Sequence, residues 1–189
     1  HDESGDYVGL LVDFQHEIER LLDVRFKMRK FATWNELIEY SKTGGNFVIV
    51  GIAQTAKRSE YLDFTSSFIK VPYVIVTEVS ASIESMDDLK EASVCTVANY
   101  AVNDYIAERY PDIKPVGVED NLAGLRAVST GEFDAMILNQ MYGSYLIHSQ
   151  GLANLKIMGE SGYLNRLSAA TSRNDTQLFT ILEKAVDHI

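Results

Sequence analysis

Cysteine is nearly absent from this chain of 189 residues: Cys95 stands alone, which excludes a disulfide within the chain and any metal site built on paired thiolates. The four histidines, His1, His16, His148 and His188, lie too far apart in sequence to act as closely spaced ligands, and they read as solvated or helix-end residues. No run approaches the roughly 18 apolar residues that a membrane span requires. The chain opens on His1-Asp2-Glu3 without a basic-then-apolar profile, so any targeting or anchoring segment is expected outside these residues. Basic charge is also scarce, with 17 Lys and Arg against 27 Asp and Glu and a net charge of −10. The basic residues are scattered, which argues against a nucleic-acid surface. A nucleophile elbow, a Walker loop, a His-Glu-x-x-His pair and a dinucleotide fingerprint are all missing. Neither catalysis nor a cofactor or bound metal is expected.

What the chain does have is apolar content. At 46% hydrophobic residues it can bury the core of one large domain or of two small lobes. Between Tyr7 and Gly51 the pattern predicts a strand over Val8 to Val12, a helix carrying Phe14, Ile18, Leu21 and Leu22, and a second strand over Val24 to Phe31. A helix over Trp34 to Tyr40 comes next. Trp34 has Phe31 and Leu37 three residues to either side and reads as core. After Gly44-Gly45, the β-branched run Phe47 to Val50 reads as a buried parallel strand.

A second set of such units begins after Pro72. Ser85-Met86-Asp87-Asp88 is a capping-box start, with Asp88 as the partner of Ser85. Strands are expected over Ser93 to Val97, Pro115 to Val118, Ala135 to Leu138 and Leu155 to Met158. Helices are expected over Val102 to Arg109, Leu122 to Ser129 and Tyr142 to His148. Cys95 falls within the first of these strands and reads as a core thiol. Lys70 to Thr77 is extended and apolar, a connector between lobes. Leu167 to Thr171 and the helix from Thr176 to Ile189 are too small to stand alone and are expected to return to the first lobe. The fold class is α/β with two lobes, each a mainly parallel sheet flanked by helices. Residues 1–73 with 166–189 form one lobe in this reading and residues 77–163 the other, with crossovers at 70–77 and 163–168.

The most specific stretch runs from Gly51 to Thr65. A buried strand ends at a glycine, a turn capped by Thr55 comes after it, and Arg58 stands five residues beyond Ala53. Unpaired N–H groups at a strand end, with a guanidinium beside them, make a receptor for a carboxylate. The alternative is a surface Arg58 paired with Glu60 or Asp63.

This stretch resembles the signature of the type 2 periplasmic solute-binding fold, in the branch called bacterial extracellular solute-binding proteins, family 3. Thr55-x-x-Arg58 and Phe64-Thr65 match its usual form, and further matches are Asp13-Phe14, Val71 to Val76, Ser85 to Leu89, Gly131 to Ala135 and Ser168 to Ala170. The resemblance implies a two-lobed Venus flytrap in which Arg58 grips a ligand carboxylate. It places Gly51, Ala53, Tyr73, Asn139 and the loop Ala98-Asn99-Tyr100-Ala101 around the interlobe cleft. Tyr73 and Tyr100 fall at its predicted edge, as ligand contacts or as packing. Three positions depart from the family pattern. Ala53 offers only its backbone where Ser or Thr is usual. Asn99 replaces a common glycine, and Asn139 stands where amino-acid binders carry an acidic residue for the ligand's ammonium group.

These departures resemble the BvgS-like Venus-flytrap sensor domains of histidine kinases and related signalling proteins. The implied function is an extracytoplasmic sensor domain that binds a small carboxylate-bearing or amino-acid-like solute and signals by lobe closure. It would sit in the periplasm as part of a membrane protein anchored outside these residues and able to form a dimer. The alternatives are a free-standing amino-acid-type receptor of an ABC importer, or an enzyme on the same fold, namely a cyclohexadienyl dehydratase or the regulatory half of a lytic transglycosylase.

Overall fold

A computed structural model describes residues 8–189. In chain order its first elements are α1 (Leu10–Leu22), α2 (Trp34–Ser41), β1 (Val48–Ala53), a single 3-10 turn (Arg58–Glu60), β2 (Leu62–Phe64) and β3 (Ile69–Glu78). A second 3-10 turn (Asp87–Lys90) precedes β4 (Val94–Val97), α3 (Ala101–Arg109), β5 (Val116–Val118) and α4 (Asn121–Ser129). The chain then forms β6 (Ala135–Asn139), α5 (Gln140–Ser149), the long β7 (Leu155–Ser172) and α6 (Thr176–Val186). Two compact units result: one runs to Ile69 and resumes over Arg166–Ile189, and the other is Lys70–Asn165.

In the first unit, Phe14, Ile18 and Leu22 recur every four residues along α1 and form one apolar stripe. Ile18 is fully buried against Ala169, Leu182, Ala185 and Val186, so α1 and α6 share one core. A second core joins Ile38, Ile52, Leu62 and Ala170, with Trp34, Leu37 and Phe47 packed against it. Both β1 and β2 pair antiparallel with β7. This corrects the expected parallel arrangement of this unit, because β7 re-enters it in the opposite direction. The two apolar pieces read as Leu155 to Met158 and Leu167 to Thr171 are parts of one strand of 18 residues.

Two further expectations fail here. Val8 to Val12 is not a strand: the amides of Val12 and Asp13 already donate to the Gly9 carbonyl and start α1. A short apolar run without alternation does not distinguish strand from helix. The part of that reading at Tyr7 lies outside the described residues. Val24 to Phe31 forms no strand. It is held instead by Glu19 of α1, which accepts hydrogen bonds from the Phe26 amide and from Arg25. Between this segment and β1 runs an open groove of about 800 Å³ lined by Leu11, Phe26, Met28, Phe31, Val48 and Val50, which is why β1 is only half-buried along most of its length.

In the second unit β4 is the middle strand of a parallel trio with β5 and β6, and β3 lies antiparallel to β6. Strand alternation splits the apolar side chains between two faces. Val94, Ile75, Ala135 and Ile137 pack on one face with Leu89, Val102 and Ile106. Cys95, Val97, Val74, Val76, Met136 and Leu138 pack on the other with Leu125, Val128 and Leu146. Asp88 accepts hydrogen bonds from the amides of Glu84 and Ser85 and from the Ser85 hydroxyl, which is only the carboxylate half of the expected capping box, and the helix that comes after it is only a 3-10 turn capped at Met86 without a side-chain bond.

Candidate functional site

The residues expected to receive a carboxylate lie where β1 ends. Gly51 adopts φ +89 and sits where the register between β1 and β7 slips, between Val50 and Ile52. A bulge of this kind bends the strand and re-aims the residues after it. Ala53 lies two residues past the bulge, and its carbonyl accepts a hydrogen bond of 2.7 Å from Arg58 Nη1. The Thr55 hydroxyl accepts the Arg58 amide at 3.2 Å, and the Ser59 amide donates to the Thr55 carbonyl at 2.9 Å, so the chain turns back on the strand end within one short helical turn. Arg58 is thereby 5% exposed. This decides against the surface reading of Arg58. Gly51, Ala53 and Arg58 are brought together in one unit.

Sequence reasoning missed the ring beside that guanidinium. Trp34 packs against the core as expected, but Arg58 Cζ also lies 5.3 Å from its ring centroid. Trp34 is placed there by a capping box. The Thr33 hydroxyl accepts the Glu36 amide, and the Glu36 carboxylate accepts the Ala32 amide, which makes Trp34 the first residue of α2. The Thr33-x-x-Glu36 spacing is readable as the start of a helix, but its link to Arg58 requires the fold.

The other expected residues lie in the second unit. Parallel strands β4 and β6 are neighbours, so the loop Ala98 to Ala101 and residue Asn139 leave the sheet at the same end, the carboxyl ends of the strands. Ligands of open α/β sheets collect at such ends. Asn99 takes the left-handed conformation at φ 60, and Tyr100 caps the backbone of α3. The loop is held by Asn103, whose amide donates to the carbonyls of Val97 at 2.8 Å and Tyr100 at 3.0 Å. No spacing in the sequence marks Asn103 for this role. Asn139 caps α5: its Oδ1 accepts the Tyr142 amide at 3.1 Å. Ala101 is buried and Tyr100 half-buried, packed against both apolar cores of this unit.

Tyr73 is the exception. It pairs with Asn139 across the β3–β6 ladder, but its ring is 4% exposed within a core cluster and stands edge-on to Tyr163 at 5.2 Å. Strand alternation puts its side chain on the same face as Ile75, and both faces of β3 are covered by apolar cores. Cys95 is fully buried, and burial, with a smaller contribution from Glu132, pushes its thiol up to about 12. Such a thiol stays protonated and unreactive. No group of three or more His, Cys, Asp or Glu able to hold a metal occurs among the described residues. Within the same residues no helix is long and apolar enough to cross a membrane.

Comparison with known proteins places this geometry. The chain is similar to the virulence sensor protein BvgS of Bordetella bronchiseptica, at 27% identity over 163 residues, which is 85% of this chain and 13% of that protein. It is also similar to the sensor protein EvgS of Escherichia coli K12, at 26% identity over 190 residues, 100% of this chain and 16% of that protein. The chain therefore spans only about a seventh of the length of these curated relatives. Among solved structures, a histidine kinase sensor domain with similarity to periplasmic binding proteins superposes with a TM-score of 0.89 at 24% identity, covering 98% of this chain and 82% of that one. The periplasmic VFT2 domain of Bordetella pertussis BvgS gives 0.85 at 24% identity, covering 94% and 77%. The arginine-bound form of a truncated ArgBP from T. maritima gives 0.83 at 23% identity, covering 99% and 88%. These likenesses establish the two-lobed α/β Venus-flytrap fold. The model of one family matches residues 1–189 throughout, and the chain belongs to it: the bacterial extracellular solute-binding proteins, family 3.

Proposed function

We propose that this chain is an extracytoplasmic sensor domain that binds a small carboxylate-bearing solute through Arg58 and signals by closure of its two lobes. The observation that carries the reading is the buried guanidinium of Arg58, pinned to the end of β1 by the Ala53 carbonyl. A guanidinium fork pairs with a carboxylate through two parallel N–H donors, in a geometry no lysine reproduces. The backbone at Gly51 and Ala53 completes the first half of the site. Ala98, Asn99, Tyr100, Ala101 and Asn139 supply the second, at the carboxyl ends of parallel strands. Closure is favoured only if the ligand makes better contacts in the closed state, so a ligand has to engage both sets of residues. The crossovers at residues 70–77 and 163–168 are the hinges of this motion. Similarity to BvgS and EvgS, both named as sensors and both several times longer than this chain, favours a signalling role within a longer protein.

A screen of amino acids including L-arginine, aromatic acids and dicarboxylates tests the reading, because a ligand that binds only the folded state raises the melting temperature. For any carboxylate found, Arg58→Ala is expected to weaken binding by about 2 to 4 kcal/mol, the scale for losing a desolvated charge-assisted partner. Unchanged affinity in a folded variant, measured by calorimetry, overturns the assignment of Arg58.

A further inference from the structure

We infer that Trp34 is the positioning residue of the carboxylate site: its ring holds the guanidinium of Arg58 in the orientation that receives the ligand. The inference rests on the reading of Arg58 as the carboxylate receptor and goes beyond it in assigning the element that sets the geometry. An arginine side chain has four rotatable bonds, and its use as a receptor depends on how few orientations it samples before the ligand arrives. Two contacts from different parts of the first unit restrict Arg58. The Ala53 carbonyl takes Nη1 at 2.7 Å, and the Trp34 ring stands 5.3 Å from Cζ. The first contact fixes one N–H direction. The second closes the side of the guanidinium that faces α2, within the roughly 6 Å over which a ring quadrupole attracts a cation.

Trp34 is itself immobilised. It is the first residue of α2, behind the hydrogen bonds from the Glu36 amide to the Thr33 hydroxyl and from the Ala32 amide to the Glu36 carboxylate, and it packs on the cluster of Ile38, Ile52, Leu62 and Ala170. Ile52 and Leu62 of that cluster flank the turn that carries Arg58. One packed unit therefore supports the guanidinium both through the chain that bears it and through the ring beside it. Fewer orientations in the unliganded chain mean a smaller ordering cost when a carboxylate pairs with the guanidinium through two N–H donors.

The test has two parts that fail separately. In the first, the side-chain Nε–Hε resonance of Arg58 is identified by its loss in Arg58→Lys and followed by NMR with no ligand present. It is expected to carry a ring-current shift and slow hydrogen exchange. Trp34→Leu is expected to remove the shift and speed exchange at least tenfold, and Trp34→Phe to keep part of both. If Trp34→Leu does not fold, Trp34→Phe decides, because a smaller ring has to give a smaller shift. An Arg58 resonance unchanged in a folded Trp34 variant overturns the inference. In the second part, benzoate, succinate, L-glutamine and L-arginine are titrated while following the emission of Trp34, which is the chain's one tryptophan. A carboxylate that binds the parent chain is expected to bind Trp34→Phe within about threefold and Trp34→Leu at least tenfold more weakly, a difference of about 1.4 kcal/mol. Binding to the variants is read by calorimetry, since they lack the indole. Equal affinity in Trp34→Leu overturns the inference even if the resonance moves. If none of the four binds the parent chain, the carboxylate reading is what fails, and the resonance alone decides whether Trp34 positions Arg58.

Discussion

Glu19 Oε1 accepts the backbone amide of Phe26 at 2.7 Å, seven residues along the chain, while Oε2 of the same carboxylate takes Arg25 Nη1 at 3.1 Å. The glutamate is 4% exposed, and it closes the reversal between α1 and the segment after it. Arg25 is largely exposed and contributes little by itself. The Phe26 amide is the larger influence and holds Glu19 below the ordinary range of a glutamate, with burial opposing it.

Glu19→Gln is expected to lower stability at neutral pH by about 1 to 3 kcal/mol, since it replaces the ionised acceptor of a part-buried amide with a neutral one. The depressed value sets the pH dependence. Stability contributed by Glu19 is present above the ordinary glutamate range and is lost as pH falls through the lowered folded-state value. Urea unfolding of parent and variant should therefore converge in acid and separate towards neutrality. Parallel curves across that range would remove Glu19 as the cause.

Thr171 presents the opposite case. Its hydroxyl is fully buried and has no hydrogen-bond partner among the described residues. A buried hydroxyl without a partner forfeits its hydration for nothing in return. Thr171→Val has nearly the same shape and is expected to stabilise the chain by about 1 kcal/mol, raising Tm by roughly 2 to 4 °C at this size. A lower Tm in differential scanning calorimetry would mean that the hydroxyl is satisfied in solution.

Glu19 and Thr171 also show where sequence reasoning stops. The second unit is legible nearly element by element, because its strands are short and bounded by turn residues and its helices carry their own caps, as Asp120 does for α4 and Asn139 for α5. In the first unit, Val24 to Phe31 alternates as a strand should, yet one carboxylate on α1 captures its backbone, and no local pattern announces a partner seven residues away. The direction of β7 is equally hidden, since its two apolar pieces are separated by the polar stretch Gly159 to Arg166 and read as separate strands. Thr55-x-x-Arg58 marks the turn that buries Arg58, because that turn is local. The approach of Trp34 to Arg58 and the hold of Asn103 on the Val97 and Tyr100 carbonyls carry no mark in the sequence. The depth of Tyr73 is not legible locally, because alternation along β3 gives two faces and both are buried.

Gly51 is required by its backbone more than by its surroundings. A Cβ there would stand 2.6 and 2.7 Å from the two methyl carbons of Leu11, but these are the ends of a flexible side chain and can move. The φ of +89 cannot be relieved in that way. Gly51→Ala is expected to cost about 1 to 3 kcal/mol, the scale for a strained backbone residue, and adding Leu11→Ala should recover little of it. Chemical denaturation of the single and double variants separates the two causes: full recovery in the double variant would assign the cost to the Leu11 contact.

Asn139 caps α5 and is also proposed to face the ligand, and one substitution separates the two roles. As the cap of α5 its Oδ1 takes the Tyr142 amide, a task that aspartate performs equally well, with about 0.3 to 1 kcal/mol to gain from a negative charge at a helix N-terminus. Asn139→Asp should therefore fold at least as stably as the parent. If Asn139 also faces the ligand, the new charge should strengthen binding of L-arginine or another ammonium-bearing solute and weaken that of succinate, which has no cation to offer it. Calorimetric titration of both ligands against both chains gives the comparison. Affinities that shift together, or not at all, in a variant with unchanged Tm would confine Asn139 to its role as a cap and leave the ammonium side of the site to other residues.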